Sequence, residues 1–307
     1  MNRALVTAIM ILFASGCNTG SKPPARPADA DLAAYNSTAR LEFDQGEMTH
    51  AAESYTRALN RARVMDDPTA ISAAAYDLAI CRATLADDPG AILLLEEAER
   101  EAVRCGANLT DILLVEAKIA LLRKEGTDAV RLADAVLTRP GSQPSDAQRL
   151  QARVTQGLAA CQMKDLPGAT QRLTEARTLA DHLNNAPARA AVVGLSGEIH
   201  LLKQDFSAAA TDFDQQVEWC RQSRDYRDMR RALAQAGRAG RAAGDWAKAA
   251  DRLYRAARAA AAREDAGANA LATEALAAAR AAGDSSLVRL ASALLKEARA
   301  ATQPAGK

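Results

Sequence analysis

Five cysteines and three histidines are the side chains of this sequence best able to ligate a metal or attack an electrophile, and their spacing decides whether they can. His50, His182 and His200 lie far apart, and none has a cysteine or second histidine at ligand spacing, whereas zinc needs three or four such groups. No metal site is expected. An even set of cysteines beyond the leader, Cys81, Cys105, Cys161 and Cys220, invites two disulfides. Placed on helices rising about 1.5 Å per residue, however, Cys81 and Cys105 fall roughly 18 Å apart along their hairpin, and Cys161 and Cys220 belong to different repeats and opposite helix ends. A disulfide needs its Cα atoms within about 7 Å, so four unpaired, mostly buried thiols are expected. Gly237-x-x-Gly240-x-x-x-Gly244 has the look of a phosphate cradle, but it follows a helical stretch rather than a strand and no Gly-Lys-Ser/Thr closes it. There is no Gly-x-Ser-x-Gly elbow and no marked Ser/His/Asp set. Acidic pairs such as Asp87-Asp88 and Glu96-Glu97 read as solvated helix starts and outer faces. The expectation is a chain without catalytic residues or cofactor.

Those same glycines instead belong to a pattern that runs through most of the chain. An acidic residue stands four places before an alanine at Glu47/Ala51, Asp87/Ala91, Glu125/Ala129, Asp165/Ala169, Asp205/Ala209 and Asp245/Ala249, with successive spacings of 40, 38, 40, 40 and 40 residues. Such a period marks stacked supersecondary units. Twelve residues before each of these fixed alanines comes a small residue: Ala39, Ala79, Ala117, Gly157, Gly197 or Gly237. Four residues after comes Tyr55, Leu95, Ala133, Leu173, Phe213 or Leu253, and seven after comes Ala58, Ala98, Val136, Ala176, Gln216 or Ala256. Offsets of four and seven share one helical face. Each unit is therefore expected to be an antiparallel helical hairpin. A small-residue notch on its first helix, A, receives a stripe on its second, B, and the acid opens B by accepting from unpaired backbone N–H groups. Ala133 and Gln216 depart from the stripe.

This pattern resembles the tetratricopeptide repeat, most closely in the sixth copy, with Gly237, Gly244, Asp245, Trp246, Ala249, Leu253 and Ala256. The spacing exceeds the family's usual length, which implies longer helices. The resemblance implies an all-α, right-handed superhelical solenoid of stacked antiparallel hairpins over residues 31–301, six repeats closed by a capping pair in which Gly283-Asp284 again opens the second helix. Composition agrees: the sequence is 49% hydrophobic but only 4% aromatic, a core of alanine and leucine, and no strand-like alternation appears. Asp67 and Pro68 are expected to start a helix, and 139–144 forms the longest break, the expected place for a bend or a protease cut. Residues 302–307 read as a frayed tail.

The leader differs. Arg3, the apolar run Ala4 to Phe13 and the small residues Ala14-Ser15-Gly16 before Cys17 have the layout of a secretory signal over residues 1–16, too short to span a bilayer, which needs about 20. The ending looks like a bacterial lipobox, which implies lipidation of Cys17, and Asn18 in the next position points to the outer membrane. Residues 17–30 then combine the lipidated cysteine with a proline-bearing flexible tether. The expected location is the periplasmic side of the envelope, lipid-anchored.

Charge is polarised although the total is only +1: residues 31–110 carry 7 basic and 14 acidic groups, a net of −7, and residues 221–307 carry 17 and 9, a net of +8. Such a field steers anionic partners toward the distal repeats. The resemblance places partners on the wall formed by the A helices, where register puts Arg40, Tyr76, Lys118, Glu198, Arg231, Arg238 and Arg241, together with Phe43, Ile80, Leu114, Val154 and Leu158. The family's carboxylate-clamp pattern is absent. Two functions are expected: a scaffold binding a protein or peptide in its groove, similar to lipoproteins that assist pilus, secretion or envelope assembly, or a module in which the Arg231 stripe captures an anionic envelope polymer. Nucleic acid suits the basic end electrostatically, but export argues against that encounter.

Overall fold

Each hairpin begins with its acid. In the computed structural model, which describes residues 29–140, 143–263 and 267–302, the fixed alanines Ala51, Ala91, Ala129, Ala169, Ala209 and Ala249 are all fully buried, and the backbone N–H of each donates to the carbonyl of the acid four residues earlier. The side chains of Asp87, Asp165, Asp205 and Asp245 cap by accepting from Gly90, Gly168, Ala208 and Lys248 backbone N–H. Glu47 and Glu125 hold the same position without a side-chain cap bond. Their extra methylene carries the carboxylate past the N–H groups that a short side chain meets.

Fourteen α-helices and no strand form among the described residues. They are α1 (Ala30–Gln45), α2 (Met48–Val64), α3 (Pro68–Thr84), α4 (Asp88–Cys105), α5 (Thr110–Leu122), α6 (Gly126–Thr138), α7 (Asp146–Gln162), α8 (Leu166–Leu183), α9 (Ala186–Leu202), α10 (Phe206–Gln222), α11 (Tyr226–Ala242), α12 (Trp246–Ala261), α13 (Ala268–Ala281) and α14 (Ser285–Thr302). Asp67 caps α3 with Pro68 in its first turn. The A-to-B turns share one left-handed residue five places before the fixed alanine: Gly46, Ala86, Lys124, Lys164, Gln204 and Gly244, with Gly283 in the last pair. The proposed signal, Cys17 and nearly all of the tether lie outside the described residues, as does most of the tail.

The fold is an all-α helical repeat array. It divides into two compact units at Thr155/Gln156, within α7. In the first, Leu59, Leu78, Leu95, Ile112, Leu114 and Ile119 build one core with the alanines between them. The shortest hairpin, α5–α6, has Ala133 where a large residue is expected, and α5 compensates: Leu113, Leu114, Ile119 and Leu121 are all buried. In the second unit the notch is plain. A Cβ on Gly197 would lie 2.7 Å from Phe213 Cε1, and one on Gly237 would lie 2.6 Å from Leu253 Cγ. Gln216, the other departure, is buried, and its amide lies over Gly194, where a Cβ would come within 2.6 Å of Nε2. One glycine makes room for one oversized neighbour.

Candidate functional site

The A helices carry polar residues at two linked positions, eleven before the fixed alanine in one repeat and fourteen before it, or before Val288 in its place in the last pair, in the next, 36 or 37 residues apart in sequence. In the second unit these pairs are hydrogen-bonded rungs. Gln235 of α11 donates from Nε2 to Glu198 Oε1 of α9. Arg238 of α11 grips Glu274 of α13 with both arms of its fork, Nε to Oε2 and Nη2 to Oε1, each 2.8 Å. In the first unit Arg40 of α1 is exposed, and its positive charge partly offsets the burial that pushes the Asp77 carboxyl of α3 up to about 6. At the same positions, Ile80 and Val115 replace the polar pair by an apolar one.

Other wall residues are also engaged. Lys118 of α5 is 8% exposed and donates from Nζ to Gln151 Oε1 at 3.1 Å, and Gln148 donates to Asp111 at 2.8 Å. Tyr76 is half-buried, and its hydroxyl is pushed above the ordinary phenol range by burial and then by Asp111 and Asp77. Leu114 and Val154 belong to the core. Glu116, which the register reading passed over, is pushed up to about 7 by burial, with Glu99 and Glu96 of α4 adding to the shift and Arg131 of α6 opposing it. Its signal in the sequence was faint, because it sits beside the notch rather than on the wall.

On α11 the residues gather most clearly. Arg227, Arg230, Arg231, Arg238 and Arg241 fall within an arc of about 100° at 3.6 residues per turn, and all five are half-buried. The opposite face, with Ala232, Leu233, Ala236, Gly237, Ala239 and Gly240, is buried. Arg238 is neutralised by Glu274. Among the described residues Arg231 has only Asp228 Oδ1 at 4.0 Å, beyond hydrogen-bond reach, and its Nε and Nη1 are buried without an acceptor. The Arg241 guanidinium makes no ion pair or hydrogen bond among the described residues. Glu198, the nearest carboxyl on α9, is pushed above the usual carboxylate range by burial, against the pull of Arg231 and Gln235. Arg231 and Arg241 therefore leave on this face positive charge that no hydrogen-bonded carboxylate among the described residues takes up.

Two further features are accounted for by packing. A cavity of about 630 Å³ opens between α10 and α12, with Val217 and Leu233 in its lining. Its Arg252 is tied to Asp214, and its other cations face carboxylates along the same helices. The four cysteines are free, two buried and two half-buried, and burial pushes the thiols of Cys81, Cys161 and Cys220 up to about 12, which keeps them protonated and inert. His200 Nδ1 pairs with Asp212 Oδ2 at 2.8 Å inside its own hairpin. No helix of the described residues is long and apolar enough to cross a membrane.

No protein-family model matches the sequence, and no curated protein matches it. Among solved structures, it is similar to a signal-transduction ATPase with numerous domains bearing a tetratricopeptide-repeat sensor, from Pyrococcus horikoshii, with a TM-score of 0.58 and 16% identity over 81% of this chain and 40% of that one. It is also similar to the apo form of RapI, with a TM-score of 0.51 and 10% identity over 88% of this chain and 76% of that one. This chain thus spans well under half of the first of these proteins. At such identities the likeness is one of fold, and the fold is a tetratricopeptide-like array of helical hairpins.

Proposed function

We propose that this chain is a non-catalytic scaffold that holds a protein or peptide partner on its A-helix wall, tethered to the periplasmic face of a membrane through lipidated Cys17. The observation that carries the reading is α11: on its arginine face Arg231 keeps two buried guanidinium nitrogens without an acceptor, and Arg241 makes no ion pair or hydrogen bond among the described residues. Arginine stripes maintained for stability alone are met by partners within the fold, as Arg252 is met by Asp214. Surplus cation on a wall is an electrostatic address for an acidic partner. A photoreactive residue at Arg241 is expected to give a discrete protein adduct in intact membranes, and the same residue at exposed Arg100 on α4 is not. Equal adducts at both positions would sink the reading. Cys17→Ser is expected to leave the protein in the soluble fraction and to abolish incorporation of a labelled fatty acid. Continued labelling would refute the anchor.

The polarised charge favours a second reading, capture of an anionic envelope polymer by the basic distal repeats. Binding to purified cell-wall sacculi that disappears in Arg231→Ala/Arg241→Ala would support it over a protein partner.

A further inference from the structure

Arg231 and Gln235 stand one turn apart on α11, the spacing that places two side chains side by side, and both look toward Glu198 on α9. Gln235 holds the carboxyl by donating to it. Arg231 does not reach it, and its Nε and Nη1 are left buried without an acceptor. A guanidinium in that condition is costly, since a buried donor without a partner forfeits its hydration. It has two ways out. The 18% of the side chain still exposed lies on the wall, where a carboxylate from outside can approach. Alternatively, Glu198 can turn from Gln235 to Arg231 from within.

From this geometry we infer that Glu198 is an internal competitor of the partner: held by Gln235 it leaves Arg231 open to the carboxylate of an acidic polypeptide segment, and turned onto Arg231 it closes the site. The inference rests on the reading of α11 as a partner face. Burial keeps Glu198 protonated above the usual carboxylate range, and a neutral carboxyl has little attraction for the guanidinium. Once ionised, it gains from pairing with the cation beside it. The other charged or titratable groups around it are few. Asp228 lies 4.0 Å from Arg231 on the same helix. Cys161 of α7 feels the Glu198 charge and Cys220 of α10 feels that of Arg231, and both thiols stay protonated below about 12. His200 of α9 is taken by Asp212, and Arg238 of α11 is taken by Glu274. The competition is therefore between one internal carboxylate and one external one, and rising pH favours the internal one.

The test uses the full chain and a fluorescein-labelled ten-residue polyglutamate, with anisotropy titrations in steps upward from pH 5.5 at constant ionic strength, through the range in which the protein stays folded. The wild-type protein is expected to bind most tightly at pH 5.5 and to weaken by about fivefold or more as Glu198 ionises, the scale of a modest coupling between sites. Glu198→Gln, which keeps the bond to Gln235 and the shape of the side chain, is expected to bind at every pH with less than about a twofold change. Arg231→Gln is expected to lose binding throughout. Gln235→Leu, which frees Glu198, is expected to leave binding unchanged at pH 5.5, where the carboxyl is neutral, and to weaken it once Glu198 ionises. The inference is overturned if Glu198→Gln retains the wild-type pH slope, if Arg231→Gln binds as well as wild type, or if polyphosphate of equal charge displaces polyglutamate from Glu198→Gln at far lower concentration. Binding without pH dependence in the wild type refutes the competitor alone. No binding by either the wild type or Glu198→Gln at any pH refutes the partner face as well.

Discussion

At the scale of single residues, contacts across each hairpin decide which small residue is tolerated where. Repeats one to three carry alanine in the notch, and repeats four to six carry glycine. In repeat five the reason is visible, because Phe213 is fully buried and its ring occupies the space a Cβ on Gly197 would take, at 2.7 Å. Gly197→Ala is therefore expected to destabilise the protein by about 1–3 kcal/mol through overpacking, measured by urea unfolding. A loss below about 0.3 kcal/mol would mean that the ring shifts freely and the notch is not tight. The A-to-B turns give the opposite case. Lys164 and Gln204 sit at φ of 60°, where a Cβ is crowded and glycine is not. Lys164→Gly is expected to gain about 0.5 kcal/mol, the relief of that crowding less the added freedom of the unfolded chain. Gly244 at the same position with φ of 82° shows the accommodation already made. The notch was legible in the sequence because a small residue recurs at one offset. The turn strain was not, since lysine, glutamine and alanine give no sign there of a left-handed backbone.

At the scale of elements, the same period that made the hairpins legible also held the pairing between A helices. The offset of eleven before one fixed alanine to fourteen before the next links Glu198 to Gln235, and with Val288 holding the alanine's place in the last pair it links Arg238 to Glu274. A charge-by-charge comparison of neighbouring repeats reveals it. The wall residues Arg40, Lys118, Glu198 and Arg238 came from the first of these positions alone, so the sequence showed which side chains face the wall but not which of them the next helix takes. Glu116 lies outside this code, and only burial by α4 and α6 marks it. Because the folded state holds its proton up to about 7 while its ordinary value is 4.5, folding takes up a proton between those values. Stability from this group is then highest at or below the lower value and falls as pH rises through the upper. The loss is on the order of 3 kcal/mol before solvent screening, and less after it because the carboxyl is only partly buried. Glu116→Gln is expected to recover most of it at pH 8 and to change little at pH 4. Equal effects at both pH values would show that the carboxyl is not protonated in the fold.

At the scale of the whole molecule, stability is assembled from hairpins that touch their chain neighbours. Substantial contacts among the described helices join consecutive elements, such as α3 with α4 and α12 with α13, or elements two apart, such as α12 with α14. Such a chain behaves as a one-dimensional sum of repeat and interface terms, so damage is expected to travel along the sequence and fade. Ala291 of α14 is fully buried against the last hairpin, and Ala291→Asp puts an unpaired charge there, which is strongly destabilising. Native-state hydrogen exchange is expected to show lost protection in α13 and α14, a partial loss in α12, and unchanged protection in α3 and α4. Loss of protection in α3 and α4 equal to that in α14 would mean a single cooperative transition, in which case the two halves of the chain share one folding equilibrium. Fading damage would instead mean that Arg231 of α11, whose neighbours Gln235 and Glu198 lie on α11 and α9, keeps its geometry while the terminal pair opens and Arg238 loses Glu274. Partner binding by this variant, measured alongside the exchange, would then separate the contribution of the wall from that of the cap.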